Sequence, residues 1–204
     1  MLTFKDFLAE SSVTRFINKF QNHDAAIITA HRGEYNHKEN QARNKKLFSA
    51  LYSKGYSVTS AKGSYVENKG HHNEKEVSEH SFVVVNHKHD PDFHKNIKKL
   101  GEHFNQDSVL LIHKGEKPKA TLVGTSKEPT SFPGYGNKHE FSNMTLNTKN
   151  HEFFTRLHKK TFTFPEDNHL KESNLYDSEF YPNTLNGKHS AKIEGKQLLE
   201  ELQI

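Results

Sequence analysis

Glu79-His80-Ser81-Phe82-Val83-Val84-Val85 is the clearest strand in the sequence, an alternating start that runs into consecutive β-branched residues. Upstream, Ala25-Ala26-Ile27-Ile28-Thr29-Ala30 is a second short apolar run and reads as a central strand, followed at once by the polar loop His31 to His37. Between the two runs a helical period extends from Lys38 to Lys54, apolar at Leu47, Ala50 and Leu51, with Gly55 as the stop signal. Tyr56 to Thr59 and the stretch around Tyr65 and Val66 read as strands separated by Gly63, closed by Glu67-Asn68-Lys69-Gly70 and followed by a polar loop from His71 to Lys75. Downstream, Asp90-Pro91 opens a second helix that repeats Phe93, Ile97, Leu100 and Phe104 on one face. Ser108 to His113 and Lys119 to Val123 then form two strands about a turn at Gly115. The order β-α-β-β-α-β-β predicts an α+β fold, one mixed sheet with helices packed on one face, and leaves the strand order open.

Outside this segment the signal thins. Val13, Phe16, Ile17 and Phe20 have the spacing of a packing helix. Beyond Gly124, Pro129, Pro133, Gly134 and Gly136 break the chain, Glu152 to Lys159 reads as a helix and Thr161 to Phe164 as a strand. The expected organisation is a separate segment over residues 1–10, an α+β core over 11–165, and a loop-rich C-terminal extension over 166–204 ending in a short helix at Gln197 to Leu202.

Composition excludes several functions. The 204 residues contain no cysteine, so disulfides, zinc thiolates and cysteine nucleophiles are ruled out. No apolar run approaches the ~20 residues needed to cross a bilayer, and Met1 to Glu10 lacks the basic start and apolar core of a secretory signal. The net charge of +4 is spread along the chain, whereas a nucleic-acid binder gathers its charge on one face. Gly134-Tyr135-Gly136 and Gly124-Thr125-Ser126 lack the lysine and spacing of a phosphate loop and read as turns. His71-His72, His87-x-His89 and His113 carry metal-binding imidazoles, but their spacing repeats no known motif, so neither a metal nor a cofactor is assigned.

Two stretches resemble known families. Phe4-Lys5-Asp6-Phe7-Leu8-Ala9-Glu10 resembles the N-terminal capsid-targeting peptide of T-even-type phage internal proteins, which implies processing at Leu8-Ala9-Glu10 and a new N-terminus at Ser11. From Ala26 to Leu122 the chain resembles a bacterial and phage domain family of unknown function, through Ile28-Thr29-Ala30, Glu39-Asn40, Arg43-Asn44, Leu47, Glu79-x-Ser81, Leu100-Gly101 and Gln106-x-Ser108-Val109. That family has a tryptophan-asparagine-proline stretch where this chain has His31-Arg32-Gly33, and the resemblance implies fold and site location but no reaction.

The residues indicate the same location. On the first helix, the stripe that is apolar at Leu47 and Leu51 turns polar at Asn40, Arg43 and Asn44, close to the helix N-terminus and the end of the first strand, where ligands commonly bind. Glu79 and Ser81 project from one side of their strand and are expected to face Arg43. Either Arg43 and Glu79 form a buried structural ion pair, or Asn40, Arg43, Asn44, Glu79, Ser81 and Gln106 line a ligand pocket. With no nucleophile motif, the expected function is a phage accessory protein that binds and inhibits a host bacterial defence or toxin component in the host cytoplasm, packaged in the capsid. Two alternatives are an enzyme or sequestering domain for a nucleotide-like anionic ligand, and a nucleic-acid-associated virion protein. No membrane partner is expected.

Overall fold

β1 (Ala25–Ile28) is the pivot of the sheet in the computed structural model, which describes residues 19–67, 75–141, 153–157, 160–163 and 185–204. Ala25 and Ala26 are fully buried, and side chains this small let other elements close over both faces of the strand. After β1 come α1 (His37–Ser53), β2 (Ser57–Glu67), β3 (Lys75–Val85), α2 (Phe93–His103), β4 (Ser108–His113), β5 (Lys119–Gly124), β6 (Lys138–Phe141), β7 (Phe153–Leu157), β8 (Lys160–Thr163) and α3 (Leu185–Leu202). They build one eight-stranded sheet in the order β6-β5-β4-β1-β3-β2-β7-β8. The fold is α+β, as the sequence predicts. The mixed sheet of that expectation pairs all its named strands antiparallel, and the parallel contact that remains is an isolated bridge between Gly124 and Tyr135.

Parity sorts the residues of the central strands between two clusters. Ala26, Ile28, Phe82 and Val84 pack with Leu47 and Leu51 of α1, with Phe93, Ile97 and Leu100 of α2, and with Leu199 of α3. Ala25, Val83, Val85, Ala61 and Ile112 point to the other face, with Phe20. α1 begins at a capping box, in which the Asn36 side chain accepts from the Glu39 amide and the Glu39 carboxylate accepts from the Asn36 amide.

Several elements differ from expectation. β2 is one strand of 11 residues, because Gly63 keeps its place in the ladder opposite Glu79, and β3 begins at Lys75, inside the expected polar loop. Where a helix is expected over Glu152 to Lys159, the described residues Phe153–Leu157 form the strand β7, which pairs with β2 and β8. The terminal helix is 18 residues long, and it packs on α1 as part of the core. Its glycines and charged residues obscure an apolar period, yet Gly195 is what permits the contact: a Cβ there would stand 1.9 Å from the Ser49 carbonyl oxygen. The Ser53 hydroxyl donates to the Lys192 carbonyl beside it at 3.0 Å. Among the described residues no helix is long and apolar enough to cross a membrane. The expected helix over Val13 to Phe20 and the segment over residues 1–10 fall mostly or wholly outside the described residues.

A buried network ties the start of β2 to α2. Tyr56 Oη donates to Asp90 at 2.6 Å, and Asn96 Nδ2 donates to Tyr56 Oη at 3.1 Å and to Asp90 at 3.2 Å. Burial pushes the Tyr56 phenol above its ordinary range; the Asn96 hydrogen bond opposes this and the Asp90 carboxylate adds to it. Burial works to raise the Asp90 carboxyl, but the hydrogen bonds from Tyr56 and the Asp92 amide and the charge of Lys54 outweigh it and hold the group low.

Two outcomes are expected. Gly195→Ala forces α3 off α1 and costs about 1–3 kcal/mol in urea unfolding, whereas Gly33→Ala, with nothing within 4 Å of the new methyl, leaves the midpoint unchanged. Stability from the raised phenol is complete below its unfolded value of about 10 and is lost as pH rises through the folded one. Stability from the depressed carboxyl is present above about 3.9 and is lost as pH falls through the folded value. Urea midpoints measured against pH should therefore lose their alkaline decline in part in Tyr56→Phe, and their acid decline in part in Asp90→Asn.

Candidate functional site

The chain leaves β1 at Ile28 and reaches α1 through a loop that backbone geometry alone does not hold. Two asparagines one turn apart on α1 hold it. Asn44 Oδ1 accepts from the Ala30 amide at 2.8 Å while Asn44 Nδ2 donates to the His80 carbonyl at 3.1 Å, so one side chain joins the loop to β3. Thr29 Oγ1 donates to the same His80 carbonyl at 2.7 Å. Asn40 Oδ1 accepts from the Arg32 amide at 2.9 Å, and Asn40 Nδ2 donates to the carbonyls of Arg32 and Tyr35, each at 2.9 Å. Both asparagines are buried, so these bonds are shielded from water.

Arg43 and Gln106 extend the arrangement to the end of α2. Arg43 Nε donates to the Ala30 carbonyl at 2.7 Å, a second guanidinium nitrogen donates to the Phe104 carbonyl, and the guanidinium lies over the Tyr35 ring, 4.5 Å from its centroid. Gln106 Nε2 donates to the His31 carbonyl at 3.1 Å and to the Phe104 carbonyl at 3.2 Å, and its own backbone carbonyl accepts from Thr125 Oγ1 at 2.6 Å. Arg32 closes the outer side, paired with Glu34 at 3.1 Å and Asp107 at 2.9 Å. Burial works to lower the Arg32 guanidinium, but the hydrogen bonds and charges of Glu34 and Asp107 outweigh it and raise the group. Nearby, burial pushes the His103 imidazole down, with the charges of Arg43 and Lys46 adding to the effect and Glu201 opposing it.

The structure therefore brings Asn40, Arg43, Asn44 and Gln106 together at one end of the sheet, around the loop His31 to Tyr35. It does not place Ser81 with them. Ser81 lies opposite Ala61 and has the parity of Val83 and Val85, which belong to the cluster on the face away from α1 and α2. The expectation that Ser81 faces Arg43 is corrected accordingly: α1 crosses the face that Phe82 and Val84 line. Glu79 pairs with Gly63 in the ladder, and its side chain lies outside the described residues, as do the expected processing residues Leu8, Glu10 and Ser11. The acceptors seen for Arg43 are backbone carbonyls.

Thr29, Tyr35 and Thr125 were not singled out from the sequence. Asn36-x-x-Glu39 was a readable capping signal that sets where α1 starts and therefore which residues reach the loop. Chemically, the site offers amides, carbonyls, a half-buried guanidinium and an aromatic face. Groups of these kinds can bind and orient a small polar molecule.

The family model described as the S-Adenosylmethionine lyase family matches residues 26–164, from β1 through the whole sheet. A solved structure of a phage SAM lyase in complex with S-methyl-5'-thioadenosine is 13% identical, with 58% of this chain and 86% of that chain covered and a TM-score of 0.30. No curated protein matches the chain.

Asn44→Ala leaves the Ala30 amide without its buried acceptor and is expected to cost about 1–3 kcal/mol. The same change should speed hydrogen exchange at Ala30 more than at Val84. Unchanged exchange at Ala30 would show that Asn44 does not hold the loop.

Proposed function

Because the chain belongs to the S-adenosylmethionine lyase family, we propose that it cleaves S-adenosylmethionine at the sulfonium, with the substrate bound where α1 and the end of α2 meet the loop after β1. The observation that carries this reading is the family match over well more than half of the chain. That match overturns the expected role as a binding inhibitor of a host defence or toxin protein, because the family is one of enzymes that act on a small molecule. It also corrects the charge of the expected nucleotide-like ligand, since S-adenosylmethionine is a nucleoside that bears a sulfonium and an ammonium beside a single carboxylate.

A lyase breaks a bond without water or a redox partner, so the carbon that loses sulfur must be satisfied from within the substrate. The substrate's own carboxylate can reach the γ-carbon and form a five-membered ring. One C–O bond forms as the C–S bond breaks, the electron pair of that bond leaves on sulfur, and no proton moves. The products are S-methyl-5'-thioadenosine and homoserine lactone. A carboxylate and a sulfonium neutralise each other along this path, so the transition state is less charged than the ground state and a partly dehydrated site favours it. The protein's task is then to hold the aminobutyrate chain folded with its carboxylate behind the γ-carbon.

The residues present suit that task. The Arg43 N–H groups that are not on Ala30 and Phe104 would meet the substrate carboxylate. Asn40, Asn44 and Gln106 act one step back, as positioning residues for the loop His31 to Tyr35.

Mass spectrometry of a reaction in ¹⁸O-labelled water tests this. The expected products are S-methyl-5'-thioadenosine and unlabelled lactone, with label reaching only the carboxylate when the lactone later opens. Label in the γ-hydroxyl of homoserine would mean hydrolysis, and no turnover of S-adenosylmethionine would sink the proposal. Arg43→Lys should lower kcat/KM about ten- to hundredfold, the value of one charge-assisted hydrogen bond.

A further inference from the structure

The other end of the sheet carries a second polar cluster, made of residues that the lyase reading does not use. There β1 begins, β4 ends and α2 begins. Asp24 immediately precedes β1, His94 lies in the first turn of α2, and His113 is the last residue of β4. One ligand-capable atom from each, a carboxylate oxygen and two imidazole nitrogens, lies within 4.8 Å of the other two. The rings of His94 and His113 meet edge to face with centroids 4.5 Å apart.

Three features make this arrangement more than proximity. His94 Nε2 is buried and has no hydrogen-bond partner, a condition that is costly for a polar atom unless something else satisfies it. His94 is also hydrogen-bonded with the Ile112 backbone, the kind of bond that fixes the ring and its tautomer in metal-bound histidines. Asp24 is held as well: its Oδ1 accepts from the Lys114 amide at 3.0 Å, and its backbone carbonyl accepts from the Asn86 amide at 2.9 Å. The three donors come from separate elements, each anchored by main-chain bonds.

We propose that Asp24, His94 and His113 form a binding site for one divalent transition-metal ion of the zinc type, separate from the substrate site. Two imidazoles and a carboxylate are a borderline donor set that suits Zn²⁺ or Co²⁺ and not Ca²⁺ or Mg²⁺, which take oxygen ligands. The exposed His113 side leaves a fourth position to water. Such an ion would tie the start of α2 to the two strands it packs across, a structural role. The neighbouring rings of His23, His87 and His89, with centroids 4.5 and 5.0 Å from His23 to the other two, form a separate stack and serve as the control.

Chelator-dialysed full-length protein titrated with Co²⁺ tests the site. One equivalent is expected to bind with the intense visible absorption of four-coordinate cobalt, to be displaced by Zn²⁺, and to raise the thermal midpoint. His113→Ala, at an exposed position where folding is safe, should weaken binding by about tenfold or more, and Asp24→Asn should do the same. His87→Gln should leave it unchanged. Tight binding that survives His113→Ala and Asp24→Asn overturns the proposal, and so does a wild-type chain that takes up cobalt only weakly at several sites without the four-coordinate spectrum. Each readout is independent of lyase turnover.

Discussion

Asn44 joins three pieces of the chain through one side chain: the loop leaving β1, the strand β3 and the helix α1. β1 is only four residues long, and it is the strand on which both halves of the sheet meet, with β3 on one side and β4 on the other. A strand this short has few ladder bonds with which to fix its own register or the direction in which the chain leaves it. The side-chain amide of Asn44 supplies the missing constraint by accepting from the residue after the strand and donating to its neighbour. Asn40 repeats the same operation one helical turn earlier, on Arg32 and Tyr35. The loop that borders the proposed substrate site thus takes its shape from α1, whose phase is in turn set by the capping box at Asn36 and Glu39.

This dependence explains what could be read in the sequence. Elements with a simple period were legible: Phe93, Ile97, Leu100 and Phe104 are all buried on one side of α2, and β4 has the limits its pattern implied. The polar turn of the α1 stripe marked Asn40 and Asn44, and a buried amide on an otherwise apolar face must have a partner. Which partner it has was not legible, since carbonyl groups leave no mark in a sequence. Ser81 shows the limit of a period-two argument: its spacing from Glu79 groups the two on one side, but only the packing of α1 over Phe82 and Val84 decides which side that is. The terminal helix, expected only over Gln197 to Leu202, begins at Leu185 and was underestimated for another reason. Gly195 lowers helix propensity and yet is the residue that lets the helix lie against Ser49, so its destabilising local signal comes from a favourable tertiary contact.

Function was further from reach because the chemistry proposed here needs no nucleophile, acid or cofactor from the protein. Searches for catalytic signatures look for groups that exchange protons or form covalent bonds. A substrate that carries its own nucleophile and its own leaving group asks only to be held in the reactive shape, and amides and carbonyls do this as well as titratable residues. A site of that kind looks like ordinary structural hydrogen bonding until the substrate is known. The absence of a catalytic signature points to an inhibitor only where the protein must supply the reacting group, and it agrees equally with a reaction that is internal to its substrate.

Asn40, Asn44 and Gln106 at one end of the sheet differ from His94 at the other in how their polar atoms are satisfied. At the proposed substrate end Asn40, Asn44 and Gln106 have partners within the chain, so binding there does not have to order the loop. At the far end His94 Nε2 is buried without a partner in the protein, beside a second imidazole and a carboxylate. A preorganised binding site should have its scaffold satisfied from within, whereas a structural ion site should present lone pairs that the protein itself cannot satisfy. By that criterion the loop after β1 suits a substrate that enters and leaves, and the cluster of Asp24, His94 and His113 suits an ion that stays.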